Sequence, residues 1–377
     1  MPPYAWAPAL SPAPWAPRDG AGVLVLDGAA FLLGGWNPHD AVNFPTGDTC
    51  SEVWRSTDGL AWELLCVAPW EARHYGGWCV HADRLFVVGG DTSHGHYQRD
   101  VWASANGVDW ECVTPAAPWP ERTSHLVGVL GGHIYVMGGQ TSTDGHAPTG
   151  REEQRMVGGS APGEERGLAD VWRSADGASW ELVAEGCPWA PRGMISGSNG
   201  GLAVKDDRLW LLGGGFVGPG GQVPDSKRVL GAGLEYNPET GAGRLQCNDV
   251  WSSPDGAVWT RHLEKAPWAE RHYHDVAAWD GRLWVIGGYN AVAASEAEVG
   301  EEGNRNDVWC SADGEAWEEV RGTPWRPTHA GSAFVFRGEL WFAPGNDIWY
   351  DTDPQSGAER AHWHAAEVWR LGRKPRL

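Results

Sequence analysis

A stretch that recurs along the chain decides its fold, most clearly at residues 267–288, which read PWAERHYHDVAAWDGRLWVIGG. It begins with a Pro-Trp pair and runs through apolar residues to the turn Asp280-Gly281, and a second apolar run then ends at Gly287-Gly288. Two apolar runs joined by a two-residue Asp-Gly turn are typical of a tight β-hairpin. The stretch therefore predicts a pair of antiparallel strands.

Three tryptophan-centred signatures recur in a fixed order and use many of the 26 tryptophans. The Pro-Trp pair ends at Trp15, Trp70, Trp119, Trp189, Trp268 and Trp325. An acidic residue followed by Val-Trp ends at Trp54, Trp102, Trp172, Trp251, Trp309 and Trp369. A further tryptophan follows eight residues later, after a Ser-x-Asp-Gly-type turn, at Trp62, Trp110, Trp180, Trp259 and Trp317. Six units of four predicted strands each indicate a β-propeller in which every unit forms one blade.

The sixth unit ends without its last tryptophan, and the missing strand is predicted at the other end of the chain. Trp6 precedes Trp15 by the same nine residues that separate Trp110 from Trp119. We therefore expect an all-β, six-bladed propeller of four-stranded antiparallel blades, closed by residues 4–10 as the outer strand of the last blade. Within a single domain of residues 1–377, the blades are predicted at 13–67, 68–116, 117–186, 187–265, 266–322 and 323–371.

The units resemble the kelch-repeat family of β-propellers. The resemblance is carried by Gly-Gly at the end of the second strand, an arginine before the first strand and a tryptophan on the fourth, and it covers nearly the whole chain. Kelch propellers serve as binding modules, scaffolds and, in a few cases, enzymes, so the resemblance implies the fold more closely than the function.

Composition limits the partners that the chain can have. With 29 basic and 49 acidic residues the net charge is −20, which disfavours nucleic acid. We expect no membrane span because no apolar run reaches about 18 residues. The N-terminus lacks a secretory pattern, and the seven cysteines contain no Cys-x-x-Cys pair. We expect a cytoplasmic monomer without a cofactor, whose partner is a protein segment or a polar small molecule.

Variation in spacing indicates which face of the propeller is functional. From the second glycine of the Gly-Gly pair to the tryptophan of the third strand, the spacing varies between 12 and 37 residues. The spacing from the third-strand to the fourth-strand tryptophan is always eight. Long loops on a rigid scaffold commonly carry binding groups. We therefore expect the site over the central channel, on the face where the second strand connects to the third.

The candidate binding residues open the first strand or follow the Gly-Gly pair. They are Arg73, His74, Tyr75, Arg122, His125, Arg271, Tyr273, His274 and His329, with Trp36, Asn37, Asp91, Gln140, Tyr289, Asn290 and Asn346. Imidazole, phenol and amide groups around a channel suit a polar ligand. Two alternatives remain open: the arginines could join neighbouring blades, and the histidines and tyrosines could line a water-filled channel.

An enzyme is the alternative function. The segment Arg271-His272-Tyr273-His274 is similar to one in galactose oxidase and other copper-radical oxidases, in which the Tyr and His bind copper, and Arg73-His74-Tyr75 resembles the other tyrosine segment of that family. The chain also resembles kelch propellers that are sugar mutarotases, which implies a general base among His74, His125, His274 and His329. A further metal hypothesis rests on the loop that contains Asp91, His94 and His96.

Overall fold

Six antiparallel sheets are arranged around a central axis in a computed structural model of the chain. The residues it describes are 4–40, 42–44, 48–92, 96–142, 165–197, 201–217, 236–237, 242–290, 303–345, 347, 349–352, 359–362 and 364–373. All regular elements in these ranges are β-strands, apart from isolated turns. The chain is a six-bladed β-propeller, as the repeats predict.

The strands of the first half follow the repeat units in order, beginning with β1 (Tyr4–Leu10). Blade 1 consists of β2 (Gly22–Leu26), β3 (Ala29–Leu33), β4 (Glu52–Ser56) and β5 (Glu63–Val67). Blade 2 consists of β6 (Gly77–His81), β7 (Arg84–Asp91), β8 (Tyr97–Ser104) and β9 (Glu111–Thr114). Blade 3 consists of β10 (Leu126–Leu130), β11 (His133–Met137), β14 (Val171–Ser174) and β15 (Glu181–Ala184), with the added hairpin β12 (Gln140–Ser142) and β13 (Glu165–Gly167).

The second half repeats this plan with three additions. Strand β16 (Ile195–Gly197) precedes blade 4, which consists of β17 (Ala203–Lys205), β18 (Arg208–Val217), β20 (Ala242–Ser253) and β21 (Thr260–Leu263), with β19 (Tyr236–Asn237) paired to β20. Blade 5 consists of β22 (His274–Trp279), β23 (Arg282–Tyr289), β24 (Asn304–Ser311) and β25 (Trp317–Glu319). Blade 6 contains β26 (Ser332–Phe336), β27 (Glu339–Ala343) and β30 (Val368–Arg373), with the hairpin β28 (Trp349–Thr352) and β29 (Glu359–His362).

The two ends of the chain meet in blade 6, where β1 is the outermost strand. Strand β1 pairs antiparallel with β30 from Tyr4 opposite Arg373 to Leu10 opposite Val368. Trp6 packs edge to face on Trp325 with ring centroids 4.4 Å apart, as Trp110 packs on Trp70 in blade 2. The closing strand is therefore confirmed, and Trp6 occupies the place of the fourth-strand tryptophan.

The last turn of each of blades 1 to 5 packs against the preceding blade of the ring. In blade 1, Ser56 Oγ accepts a 2.7 Å hydrogen bond from the Gly59 amide, and Asp58 Oδ1 accepts bonds from the next two amides. Gly59 has φ +79°, and a Cβ there would lie 2.5 Å from the Trp341 ring of blade 6. The turn therefore needs glycine both for its backbone conformation and for close packing against the neighbouring blade.

The recurring arginine and acidic residue form one buried unit in each blade that has both. Arg271 is fully buried and donates to both carboxylate oxygens of Asp307 at 2.7 Å, as well as to the carbonyls of Ala269 and Gly287. Trp309 donates its indole N–H to the same carboxylate. Bidentate arginine–carboxylate pairs have fixed geometry, so this unit locks the third strand to the start of the first.

Candidate functional site

A closed ring of backbone hydrogen bonds surrounds the channel axis, with one residue from each blade. Each amide donates to the carbonyl of the equivalent residue in the preceding blade, from Tyr75 N to Gly20 O at 3.0 Å through to Gly20 N to Ala330 O at 3.1 Å. We call these residues the inner ring: Gly20, Tyr75, Ser124, Met194, Tyr273 and Ala330. All six have φ between +47° and +58°, a left-handed conformation that is uncommon outside glycine. Backbone geometry, rather than side-chain identity, therefore builds the ring.

The residues on either side of the inner ring form the mouth of the channel. The residue before each ring position exchanges two backbone hydrogen bonds with the residue that follows the Gly-Gly pair of the same blade. The described pairs are Asp19 with Trp36, His74 with Asp91, Thr123 with Gln140, Gly193 with Gly215, and His272 with Tyr289. These pairs, the inner ring and His329 are called the mouth below. The mouth lies on the face where the second strand leads to the third, as the loop lengths predict.

Two tyrosines of the inner ring meet across the channel. Tyr75 belongs to blade 2 and Tyr273 to blade 5, which are opposite each other in a ring of six. Their side-chain rings stack with centroids 4.9 Å apart and an interplanar angle of 27°. His74 lies against Tyr75 at 4.6 Å, and His329 stacks on Tyr273 at 5.6 Å. These contacts place a continuous group of aromatic rings across the axis.

Hydrogen bonds fix the remaining rings of the mouth. His329 Nδ1 lies 2.6 Å from Asn304 Oδ1, and His272 Nδ1 lies 2.6 Å from Gln246 Nε2. The His329 ring also lies 5.7 Å from the ring of Tyr289. Burial lowers the pKa of His329 to about 4, so this imidazole is neutral at physiological pH.

Three carboxyl groups lie close enough to Tyr75 to act on its hydroxyl. Burial raises the pKa of Tyr75 well above its usual range, and Asp19, Asp275 and Asp91 raise it further. Asp275 is itself buried, and this raises its pKa to about 8, although its carboxyl group accepts hydrogen bonds from the amides of Ala333 and Gly331. At neutral pH the carboxyl group of Asp275 is therefore mostly protonated, and carboxyl groups as well as aromatic rings surround Tyr75.

His125 and His274 do not face the mouth, contrary to the expectation that both would line it. His274 Nε2 lies 2.7 Å from the Leu212 carbonyl of blade 4, and the residue is fully buried. His125 packs in the same way towards Val88 of blade 2. Burial first, and then the neighbouring arginine, lowers the pKa of each to about 3. Both residues follow an inner-ring position, and a side chain there points at the preceding blade.

The three candidate arginines are likewise part of the scaffold. Arg73, Arg122 and Arg271 are completely buried. Arg73 and Arg122 pair with Asp100 and Asp170 as Arg271 does with Asp307. Their guanidinium groups lie between strands rather than in the channel. Each donates hydrogen bonds there to two backbone carbonyls and to one carboxylate. These arginines therefore have a structural role, but their side chains join strands within one blade and not neighbouring blades, as the alternative had it.

The other candidates divide into mouth residues and buried supports. Trp36 lies at the mouth and stacks on His74 at 5.9 Å, and Asp91 and Tyr289 are mouth residues too. Gln140 belongs to the mouth through its backbone pairing with Thr123, but its side chain is buried and donates to the Tyr97 hydroxyl. Asn37 and Asn290 are buried, and each donates to a backbone carbonyl of its own blade, those of Pro17 and Glu270. Asn346 lies outside the described residues.

The sequence candidates did not include two acidic residues that lie close to Tyr75, Asp19 and Asp275. Asp19, like His272 in the segment Arg271-His272-Tyr273-His274, precedes an inner-ring position, and Asp275 lies two residues after one. The signal that could have found Asp19 is the arginine, because the residue directly after it is a mouth residue in each of the five blades that have one. Asp275 had no such signal, because its place depends on how blades 5 and 6 pack together.

The metal hypotheses are not supported by the positions of their donors. Tyr273 faces Tyr75, whereas the His274 ring is turned away and bonded to a carbonyl, so this pair does not converge as a copper site requires. His96 Nδ1 lies 3.0 Å from the Thr92 hydroxyl, and His94 lies outside the described residues. Within the described ranges, no group of three or more His, Cys, Asp or Glu side chains is arranged to hold a metal ion.

Below the inner ring the channel changes character. The extra residues of blade 4 run as β16 along the inner edge of β22, parallel to it, from Ile195 opposite His274. Further along the axis is a cavity of about 220 Å³ lined by inner-strand residues, among them Val25, Val80 and Val335. The residues that line this cavity are apolar, whereas the mouth combines aromatic and polar side chains.

Comparison of the chain with models of known protein families and with curated protein sequences gave no match. Among the described residues, no helix has both the length and the apolar character needed to cross a membrane. The architecture is that of a β-propeller, and the geometry of the mouth is the basis for assigning roles to its residues.

Proposed function

We propose that this chain is a kelch-type propeller that acts as a binding module, with the mouth as its ligand site. The observation that carries the proposal is the stacking of Tyr75 on Tyr273 across the channel, within a group of aromatic and polar side chains. A partly apolar site with a few fixed polar groups suits a polar small molecule or a protein segment. We place the protein in the cytoplasm as a monomer, consistent with its seven unpaired cysteines.

Rigidity supports binding at this place. The inner ring and the paired residues around it are held by backbone hydrogen bonds of 2.5 to 3.1 Å, so the mouth side chains project from a fixed frame. A preorganised site loses little conformational entropy when the ligand arrives. The connections between second and third strands, whose lengths vary most, begin at this frame and supply the variable part of the contact surface.

A sugar isomerase or mutarotase has less support from the same residues. Two of the four histidines that could be its general base, His125 and His274, are buried between blades. A third, His329, has a pKa of about 4 and is a weak base at neutral pH. The candidate arginines, which could have held an acidic sugar, are buried away from the mouth and paired with carboxylates. Binding is therefore the function that the site supports best.

The test replaces the stacked tyrosines with a side chain that the inner ring already holds at Ser124. Tyr75→Ser and Tyr273→Ser are compared with Val25→Ser, which changes an inner-strand residue of blade 1 at the far end of the channel. Metabolites and short peptides are screened by thermal shift, and hits are measured by calorimetry. We expect the Kd of a hit to rise at least tenfold in both tyrosine variants but not in Val25→Ser. Unchanged affinity in the tyrosine variants, or turnover of the hit, would overturn the proposal.

A further inference from the structure

The outer strand of blade 4, β21, is an open edge of its sheet. It pairs with β20 on one side, and no strand of the described ranges pairs with its other side. Thr260 and Arg261, at its start, are exposed. An edge strand of this kind presents backbone N–H and C=O groups with which an extended segment of another chain can pair.

The absence of a glutamate distinguishes this edge from the outer strands of four other blades. In blades 1, 2, 3 and 5 the outer strand carries a glutamate that forms an ion pair with an arginine of the same blade. These pairs are Arg55 with Glu63, Arg84 with Glu111, Arg173 with Glu181 and Arg282 with Glu318. In blade 4 the position belongs to Thr260, which lies opposite Ser252 on β20 as Glu111 lies opposite Ala103 in blade 2.

Arg208 is the arginine with which a glutamate at this position would pair. It opens the second strand of blade 4 as Arg84 opens that of blade 2, where the guanidinium lies 2.8 Å from the Glu111 carboxylate. In blade 4, Nε of Arg208 donates a 2.8 Å hydrogen bond to the buried hydroxyl of Ser252, which helps to orient the guanidinium. Within the described ranges Arg208 forms no ion pair. Its terminal N–H groups can therefore donate to a carboxylate from another molecule.

Arg261 is a second arginine of this edge that forms no ion pair with a described residue. It is exposed, and its guanidinium carbon lies 5.5 Å from the centroid of the Trp251 ring. Thr260 lies opposite Ser252, and Arg261 lies opposite Trp251, so Arg208 and Arg261 are on opposite faces of the sheet. The two guanidinium groups therefore flank the open edge, one on each face.

Charge favours an acidic segment at this edge over the other edges. The net charge of −20 repels an acidic segment from most of the surface, and the glutamates on the outer strands of blades 1, 2, 3 and 5 add to the repulsion there. The outer strand of blade 6, β1, contains Pro8, which has no backbone N–H for pairing. Glu315 of blade 5 reaches the edge of blade 4, but it lies 3.4 Å from Nδ1 of His262 and pairs with neither arginine.

We propose that the outer edge of blade 4 binds an extended acidic segment of a partner protein. The segment pairs with β21, and successive side chains of a strand point to opposite faces. Two adjacent acidic residues therefore place one carboxylate at Arg208 and the other at Arg261. This site is separate from the mouth and does not depend on a ligand being bound there.

Matched peptides test the charge requirement on the unmodified chain. The hexapeptide Thr-Val-Glu-Glu-Val-Thr, blocked at both ends, is compared with Thr-Val-Gln-Gln-Val-Thr by isothermal titration calorimetry at pH 7.5 and low ionic strength. We expect the glutamate peptide to bind at least tenfold more tightly, and the difference to shrink in about 0.5 M NaCl, because salt screens exposed charges. A glutamate peptide methylated on the backbone nitrogens of both glutamates should bind at least fivefold more weakly, because these nitrogens can no longer donate to β21.

Matched variants locate the site. Thr260→Glu gives Arg208 the partner that Arg84 has in blade 2 and should raise the Kd of the glutamate peptide at least fivefold. Arg261→Gln removes the second charge and should raise the Kd at least threefold. Arg84→Gln is the control, because it removes an equivalent arginine that is already paired with Glu111. Circular dichroism verifies folding, and if one variant fails to fold, the other, with the comparison of peptides on the unmodified chain, still decides.

Each outcome supports the proposal or overturns it. Tighter binding of the glutamate peptide that is weakened by Thr260→Glu and Arg261→Gln, but not by Arg84→Gln, supports it. The proposal is wrong if neither peptide binds, if the glutamine peptide binds as tightly, or if the blade 4 variants weaken binding no more than the control does. Unchanged affinity of the methylated peptide overturns the pairing with β21. Results at the mouth with Tyr75→Ser bear on the proposed function alone, so the two proposals can fail separately.

Discussion

The hydroxyl of Tyr4 donates a 2.7 Å hydrogen bond to Oδ2 of Asp280 and thereby ties the first strand of the chain to the hairpin turn of blade 5. Arg373, at the other end of the chain, pairs with the same carboxylate. The Tyr4 ring lies 5.1 Å from that of Trp284, in the place where other blades set the glycine of their last turn. Tyr4 therefore completes the seam, by which we mean the contact with blade 5 that is made by the two chain ends paired in blade 6.

Tyr4→Ala should destabilise the whole propeller. It removes a buried aromatic ring, which typically costs about 3–5 kcal/mol of unfolding free energy, whereas Tyr4→Phe loses only the hydrogen bond, about 1 kcal/mol. Urea denaturation followed by tryptophan fluorescence measures both. A Tyr4→Ala variant, or a chain lacking residues 1–12, that unfolds at the same urea concentration as the intact chain would contradict the role of the seam.

The pair of Arg271 and Asp307 should contribute far more to stability than an exposed ion pair. Asp307→Ala strands a fully buried guanidinium, and the expected loss is about 3–5 kcal/mol. The control Glu63→Ala breaks the exposed pair with Arg55, and we expect a loss of about 1 kcal/mol or less. Equal losses in the two variants would show that the buried pair is not needed.

The same pair predicts acid sensitivity. Burial alone would raise the pKa of Asp307, but the charge and hydrogen bonds of Arg271 outweigh it and lower the pKa below the ordinary 3.8. The stabilisation is therefore present above the unfolded pKa and lost as the pH falls below about 4. Unfolding free energy measured from pH 3 to 6 should fall less steeply in Asp307→Ala than in the intact chain, and parallel curves would contradict this.

Asp275 should make the protein less stable as the pH rises towards 8. Burial raises its folded pKa to about 8, above its unfolded value, so the folded state holds the proton more tightly between about pH 4 and 8. Stability then falls with rising pH, by up to about 1.4 kcal/mol per pH unit from this group. Asp275→Asn, which stays neutral and can still accept the Ala333 amide, should flatten the profile, whereas Asp83→Asn should leave it unchanged.

Neighbouring residues Tyr273 and His274 should behave differently when replaced. Tyr273→Ser removes an aromatic ring from the mouth and should lower the affinity for the ligand identified there. Its effect on the unfolding free energy should be small. His274→Ala empties a fully buried position between blades 4 and 5 and should lower the unfolding free energy by about 2 kcal/mol or more, with ligand affinity unchanged in the folded fraction. Calorimetry and urea denaturation on both variants measure the two effects, and the reverse pattern would overturn the assignment of faces.

The architecture could be predicted because it depends on repeated local chemistry. The Asp-Gly and Ser-x-Asp-Gly turns, and the tryptophans at fixed spacing, specify four strands in each unit without any knowledge of distant contacts. The closing strand could also be predicted, because Trp6 keeps the interval that Trp110 keeps in blade 2. These features recur in several units of the sequence, so they can be recognised even though one unit is irregular.

The site residues were harder to predict, because whether a residue belongs to the site depends on the direction in which its side chain points. His74 and His125 both lie close after an arginine, but one follows it directly and the other by three residues. Along an extended chain, alternate residues point in opposite directions, and the left-handed residue between them changes the direction again. His74 consequently reaches the mouth and His125 enters the contact with blade 2. The sequence also placed Asp275 on a strand without indicating that it would be buried against Ala333.

The inner ring makes its six side-chain positions interchangeable, because the hydrogen bonds that close it come from amide and carbonyl groups alone. Glycine, tyrosine, serine, methionine and alanine already stand at equivalent places around the axis. Replacing the residue at one position with another of these types would change the side chain that a ligand meets in the channel. The ring of backbone hydrogen bonds would remain. Substitutions at the inner-ring position of one blade at a time could therefore be used to change which ligands the mouth prefers.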